Sequence, residues 1–151
     1  MGSIFQNLEI KRGLFAGKHG DFMTEKIVWR VNAEVAGGPT VKAGDSLIVE
    51  AYDKIDVSVP KNGNIDVDLQ PGALSQVYFL LISASDKSMY SNLTYKPLNG
   101  DSIKLDAPLI LIGNGAISLL TSANKINFAN ASTTDDADLS ILIGRKAVVP
   151  P

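Results

Sequence analysis

The chain has 151 residues, enough for one domain with a sizeable core, and 45% of them are hydrophobic, which excludes global disorder. Its formal net charge is −2 and no stretch is strongly basic, so a nucleic-acid groove is not expected. It has no cysteine, which removes disulfide frameworks, thiolate zinc sites and thiol nucleophiles.

The first residues, Met1 to Asn7, lack a basic segment followed by an apolar core, so no export signal is expected. No apolar run reaches the roughly 20 residues of a membrane span. Ile4–Lys11 is a first, weak strand candidate. Leu14–Met23 is one of two short helical options, the other being Gly72–Gln76. Thr24–Val35 reads as a strong strand: Ile27, Trp29, Val31, Ala33 and Val35 alternate with Arg30, Asn32 and Glu34, the period of a half-buried strand. Gly37-Gly38-Pro39 ends it. The next strand is expected at Ser46–Tyr52, after a turn at Ala43-Gly44-Asp45.

The stretch 55–69 holds two alternating runs, Ile55/Val57/Val59 and Ile65/Val67/Leu69, separated by Pro60-Lys-Asn-Gly63. A two-residue type I′ hairpin at Asn62-Gly63 would place Val59 opposite Asp66 and mix apolar with wet positions on one face. A three- or five-residue loop restores the faces but sets Asp56 across from Asp68, a like-charge pair. Two arrangements escape this conflict. A cation could sit among Asp56, Asp66 and Asp68, or the two strands could belong to different sheets with their apolar faces opposed. The second is the expectation.

Val77–Ile82 is apolar at every position, as in a central strand covered on both faces or one that meets another subunit. Leu93–Lys96, Ile103–Ala107, Leu109–Ile112, Ala116–Thr121, Ile126–Ala129 and Leu139–Ile143 complete the strand candidates. The tail from Arg145 ends in Pro150-Pro151, which cannot continue a ladder. The expectation is an all-β chain: a single antiparallel β-sandwich over 1–151, jelly-roll-like, with a flexible N-terminal segment and an extended arm at 145–151.

Catalytic chemistry is hard to find. His19 is the sole histidine, no serine sits in a Gly-x-Ser-x-Gly elbow, and one imidazole does not make a typical zinc site. Gly13, Gly17 and Gly20 do not form a phosphate loop. Carboxylates cluster at Asp53, Asp56, Asp66 and Asp68 and at Asp135, Asp136 and Asp138. Solvated strand faces and an acidic turn account for them; a cation held by Asp56, Asp66 and Asp68, or a hydrolase built on the same three, are the sharper options. Asn92-Leu-Thr94 and Asn130-Ala-Ser132 match the glycosylation pattern. Trp29 shares its face with Ile27 and Val31 and is expected in the core. Tyr90 and Tyr95 flank a polar segment and are the expected exposed, ligand-facing aromatics. No cofactor is expected.

Three features of the C-terminal half carry a resemblance. Val77-Tyr-Phe-Leu-Leu-Ile82 leads into a polar turn at 85–87. Leu98-Asn-Gly-Asp101 precedes Ile103 and then Leu109-Ile-Leu-Ile112. The segment from Ile126 to Gly144 reads as two strands around a small polar loop. In this pattern the chain resembles bacteriophage virion structural proteins of the small β-sandwich kind. The resemblance implies a non-enzymatic capsid, decoration or tail component, made in the host cytoplasm and residing in the virion. Its partners would be copies of itself and other virion subunits, with no nucleic acid bound. The alternative is a carbohydrate-binding β-sandwich module using Tyr90 and Tyr95.

Overall fold

The computed structural model of the chain describes residues 2–11, 25–69, 73–120 and 124–146. His19 and the helical option at Leu14–Met23 lie outside them. The chain divides into two compact units, Met1–Ala51 and Tyr52–Pro151, where the sequence suggested one sandwich over the whole length.

The first unit holds one three-stranded antiparallel sheet of β1 (Gly2–Lys11), β2 (Glu25–Val35) and β3 (Thr40–Val49), in that order. Residues 2–11, expected to be flexible or weakly extended, pair with β2 along their whole length, from Gly2 opposite Val35 to Lys11 opposite Lys26. The β2–β3 turn closes through Gly38 N–H to the Val35 carbonyl at 2.7 Å, with Gly37 at a φ of 72°. A positive φ is cheap only without a Cβ. The turn expected at 43–45 is absent, and β3 runs straight through it. Gly44 is in this strand for reasons of space: a Cβ there would lie 3.1 Å from the Trp29 carbonyl oxygen. Ile27 is buried, whereas Trp29, expected in the core beside it, is half-buried.

The second unit contains β4 from its second residue onward (Ala51–Val59), β5 (Gly63–Asp68), β6 (Val77–Ala84), β7 (Leu93–Pro97), β8 (Ile103–Lys104), β9 (Leu109–Ile112), β10 (Lys125–Asn130) and β11 (Ala137–Arg145). Two four-stranded antiparallel sheets, β4-β11-β6-β9 and β5-β10-β7-β8, form a sandwich. Every connection crosses to the opposite sheet except β7–β8, which are paired neighbours, and β10 and β11 insert between earlier strands. That is the strand order of a jelly roll. β4 and β5 therefore lie in different sheets, the arrangement expected from the register argument. Val59, Val67 and Leu69 are buried in one cluster, with Ile55, Val57 and Ile65 packed against it. Each fully buried aliphatic side chain there contributes about 1.5–3 kcal/mol.

The core is built from alternate residues of the inner strands. Leu80, Ile82 and Ala84 of β6 stand opposite Ile143, Ile141 and Leu139 of β11. Ile126 and Phe128 of β10 stand opposite Pro97 and Tyr95 of β7. β6 is a central strand, as its unbroken apolar run suggested.

Two short elements depart from expectation. The strand read at Ala116–Thr121, of which residues 116–120 are described, gives way to a single helical turn, α1 (Asn114–Ile117). Gly113, with a φ of 88°, turns the chain into it, and the Asn114 amide donates to the Leu74 and Val77 carbonyls at 3.2 Å each. Ile117 is then driven into the core. Residues Leu74–Gln76 form a 3-10 turn, within the short helical option at 72–76, and Lys87–Asn92 form another.

Candidate functional site

The carboxylates singled out by the sequence do not converge. Asp56 is on β4, in one sheet, and accepts a hydrogen bond from the Ser140 hydroxyl of β11 at 2.7 Å, with Lys54 Nζ at 3.3 Å. Those partners, the Ser140 hydroxyl first, hold its carboxyl below the usual carboxylate range. Asp66 and Asp68 are on β5, in the other sheet. Asp66 accepts from the Asn127 amide at 2.8 Å, and Asp68 is 3.9 Å from Lys125 Nζ. All three are exposed, on strand faces that alternate with the core positions. Among the described residues no group of three or more His, Asp or Glu is arranged to hold a metal ion. Asp135 and Asp136 belong to the β10–β11 loop. There the Asp136 carboxylate accepts from Lys61 N–H at 2.9 Å and the Asp135 carboxylate from the Thr134 hydroxyl at 2.6 Å.

Tyr90 and Tyr95, expected to be exposed, are buried at 9% and 7% exposure. Tyr95 stands directly opposite Phe128 on β10, and loss of solvent raises its hydroxyl pKa. The signal was present in the sequence: Leu93, Tyr95 and Pro97 alternate with Thr94 and Lys96. Tyr90 is turned inward by the 3-10 turn, and its hydroxyl accepts from Ala84 N–H at 2.8 Å. The C-terminal arm was expected to begin at Arg145, which the structure places in a strand. Arg145 is the last residue of β11 and pairs with Asp53 of β4, while Lys146 places its ammonium 4.5 Å from the Tyr78 ring centre. Residues 147–151 lie outside the described residues.

A buried polar knot, unmarked in the sequence except as a glycosylation pattern, holds the loops at one end of the sandwich. Asn130, at 2% exposure, donates through its amide to the Val59 carbonyl at 3.2 Å and the Asp135 carbonyl at 2.9 Å. Its oxygen accepts from Ser132 N–H at 2.9 Å. Ser132 in turn accepts at its hydroxyl from Thr134 and Asp135 N–H, and its carbonyl receives Asn62 N–H at 2.9 Å. Ala131 N–H donates to the Asn92 carbonyl at 2.9 Å. The β4–β5 turn, the β10–β11 loop and the entrance to β7 are thus tied together. With both amide hydrogens engaged inside the protein, Asn130 cannot serve as a glycan acceptor in the folded state.

Around β6, the sheet β4-β11-β6-β9 is apolar on both faces. Alternation along β6 sends Phe79 and Leu81 to the face opposite Leu80 and Ile82. Ladder register places Gly144 and Leu142 of β11, and Ile112 and Ile110 of β9, beside them. This second face is apolar as well: Phe79 and Leu142 are buried and Leu81, Ile110 and Ile112 half-buried, yet none belongs to the core cluster. At the edge of the same sheet lies β9, Leu-Ile-Leu-Ile, without charge or proline. The other sheet edges of this unit carry charges: Asp53, Lys54 and Asp56 on β4, Asp66 and Asp68 on β5, Lys104 on β8. Natural sheets use such charges to prevent edge-to-edge pairing. Among the described residues no helix is long and apolar enough to cross a membrane. Comparison with protein-family models, with curated proteins and with solved structures finds no match for this chain.

Proposed function

We propose that this chain is a non-enzymatic structural subunit of a virion, a capsid, decoration or tail component, that works by assembling with copies of itself and with neighbouring subunits. The observation that carries the reading is β9: an edge strand of four aliphatic residues that lacks the charges borne by the other edges of its unit. A jelly roll is an architecture used by viral capsid domains, an argument from analogy that lends support without identifying a role. Lectin domains use it too, but the carbohydrate-module reading named Tyr90 and Tyr95, and both are inside the core.

The test is native mass by light scattering over a range of concentrations, for the natural chain and for Ile110→Lys. The reading expects a closed oligomer or larger assembly, and a shift towards monomer when a charge enters the β9 edge. A natural chain that stays monomeric at all concentrations, or an assembly indifferent to the lysine, overturns it.

A further inference from the structure

Two turns of this protein are built alike. In Pro60-Lys-Asn-Gly63 and Pro97-Leu-Asn-Gly100 the glycine N–H donates to the proline carbonyl, at 3.0 and 2.9 Å. Asn62 and Asn99 hold φ values of 51° and 61°. A positive φ confined to the third residue is the type II pattern, which asparagine tolerates better than other residues with a Cβ. Both asparagines are exposed. The third Asn-Gly pair, Asn114-Gly115, differs: Asn114 is half-buried at the start of α1, and its amide is held by the Leu74 and Val77 carbonyls.

An asparagine followed by glycine can react with its own main chain, because no Cβ shields the next nitrogen. The glycine nitrogen loses its proton and bonds to the side-chain amide carbon, and the carbon–nitrogen bond of that amide breaks to release ammonia. Water then opens the resulting five-membered imide at either carbonyl, leaving aspartate or an isoaspartate whose main chain is one methylene longer. The reaction needs a side-chain amide free to swing and a glycine nitrogen released from its hydrogen bond. Local opening of the turn therefore sets its rate.

We propose that Asn99 is a site of spontaneous conversion to aspartate and isoaspartate in the folded protein, and that it reacts ahead of Asn62 and Asn114. The two matched turns differ in how they are anchored. Around Asn62 three consecutive N–H groups are tied, Lys61 to the Asp136 carboxylate, Asn62 to the Ser132 carbonyl and Gly63 to Pro60. Around Asn99, Leu98 N–H is tied to the Lys125 carbonyl and Gly100 N–H to Pro97, while Asn99 N–H has no partner among the described residues. The strand that follows it, β8, has only two residues, whereas β5 after the first turn has six. The Asn99 turn thus lacks the tie on its central N–H that holds Asn62, and the strand beyond it is short. The product adds one negative charge to a chain of net charge −2, and the isoaspartate form lengthens the β7–β8 connection.

The experiment ages the whole folded protein at mildly alkaline pH and follows each Asn-Gly peptide by mass spectrometry, with fragmentation that separates aspartate from isoaspartate. A parallel sample is aged in denaturing urea. In the folded sample Asn99 is expected to convert roughly fivefold or more faster than Asn62, with Asn114 slowest, the spread reflecting unequal opening. In urea the three rates converge. Asn99→Gln, which keeps an amide but not the five-membered ring, should remove the early acidic species on ion exchange. If Asn62 or Asn114 leads in the folded protein, if folded and urea samples show the same order and spread, or if the early acidic species survives Asn99→Gln, the proposal is wrong.

Discussion

The side-chain amide of Asn130, on β10, donates to the carbonyl of Val59, at the end of β4, across 3.2 Å and 71 residues of chain. The two strands belong to opposite sheets, so one buried asparagine joins the layers of the sandwich. Asn130→Ala would leave the Val59 and Asp135 carbonyls and Ser132 N–H short of a partner. A cost of about 2–4 kcal/mol is expected, since a buried unpaired group forfeits its solvation. Asn130→Asp should be worse at neutral pH, because a carboxylate would then face two carbonyl oxygens. Urea unfolding reads both. A midpoint unchanged in Asn130→Ala would remove this residue's structural role.

Gly63 supplies a second test. A Cβ there would lie 2.8 Å from Pro60 Cγ and 3.2 Å from the Pro60 carbonyl oxygen. A proline ring cannot swing aside as a long side chain would. Gly63→Ala is expected to cost about 1–3 kcal/mol, the range for overpacking. Gly115→Ala is the control: nothing lies within 4 Å of its added Cβ, and the residue is helical. It should be neutral or stabilise by up to about 1 kcal/mol. Equal losses for the two variants, measured by thermal or urea unfolding, would contradict the steric account.

Tyr90 is a structural tyrosine, buried and hydrogen-bonded through its hydroxyl. Tyr90→Phe keeps the ring but leaves the Ala84 N–H without the acceptor it has at 2.8 Å. The expected loss is about 1–2 kcal/mol. Because the ring lies inside the core, no sugar affinity should depend on it. A glycan-array signal abolished by Tyr90→Phe, with stability unchanged, would reverse that assignment.

Acid should weaken the fold through Asp56 and Asp86. The Asp86 carboxyl is held low by Ser88 N–H at 2.9 Å and then by the Ser88 hydroxyl at 2.8 Å. Asp56 is held low by Ser140 and then Lys54. A carboxyl depressed in the folded state adds stability that is complete above its unfolded pKa, near 4, and is lost as pH falls through the lower folded value. Urea midpoints measured from neutral to acid pH should decline below about pH 4. The double variant Asp56→Asn with Asp86→Asn should flatten that decline. An unaltered slope in the double variant would assign the acid loss to other groups.

Legibility in the sequence followed the range of the forces involved. The opposed faces of 55–59 and 65–69 could be inferred because alternation and turn length are local, and they excluded a two-residue hairpin turn. The burial of Tyr95 was written in the alternation of Leu93 and Pro97 but was masked by its polar neighbours. Tyr90 carried no such period, since its inward turn depends on a 3-10 segment capped by the Asp86 carboxylate. The candidate contact edge was half legible: the apolar run at 109–112 stands out, but nothing local says that it is a sheet edge.

By itself the sequence determined that this is a β protein, where many of its strands run, and that no two-residue hairpin turn joins β4 and β5. Side-chain alternation is a property of each strand alone, and it survives whatever the strand pairs with. Only the tertiary structure decided the pairing order, the separation of Asp56 from Asp66 and Asp68, the passage of β3 through Gly44, and the helical turn at 114–117. Each of these depends on groups distant in the chain: the Trp29 carbonyl against Gly44, the Leu74 and Val77 carbonyls on Asn114, Val59 on Asn130. Hydrogen bonds between distant segments leave no period in the sequence, which is why the corner was readable and the knot that holds it was not.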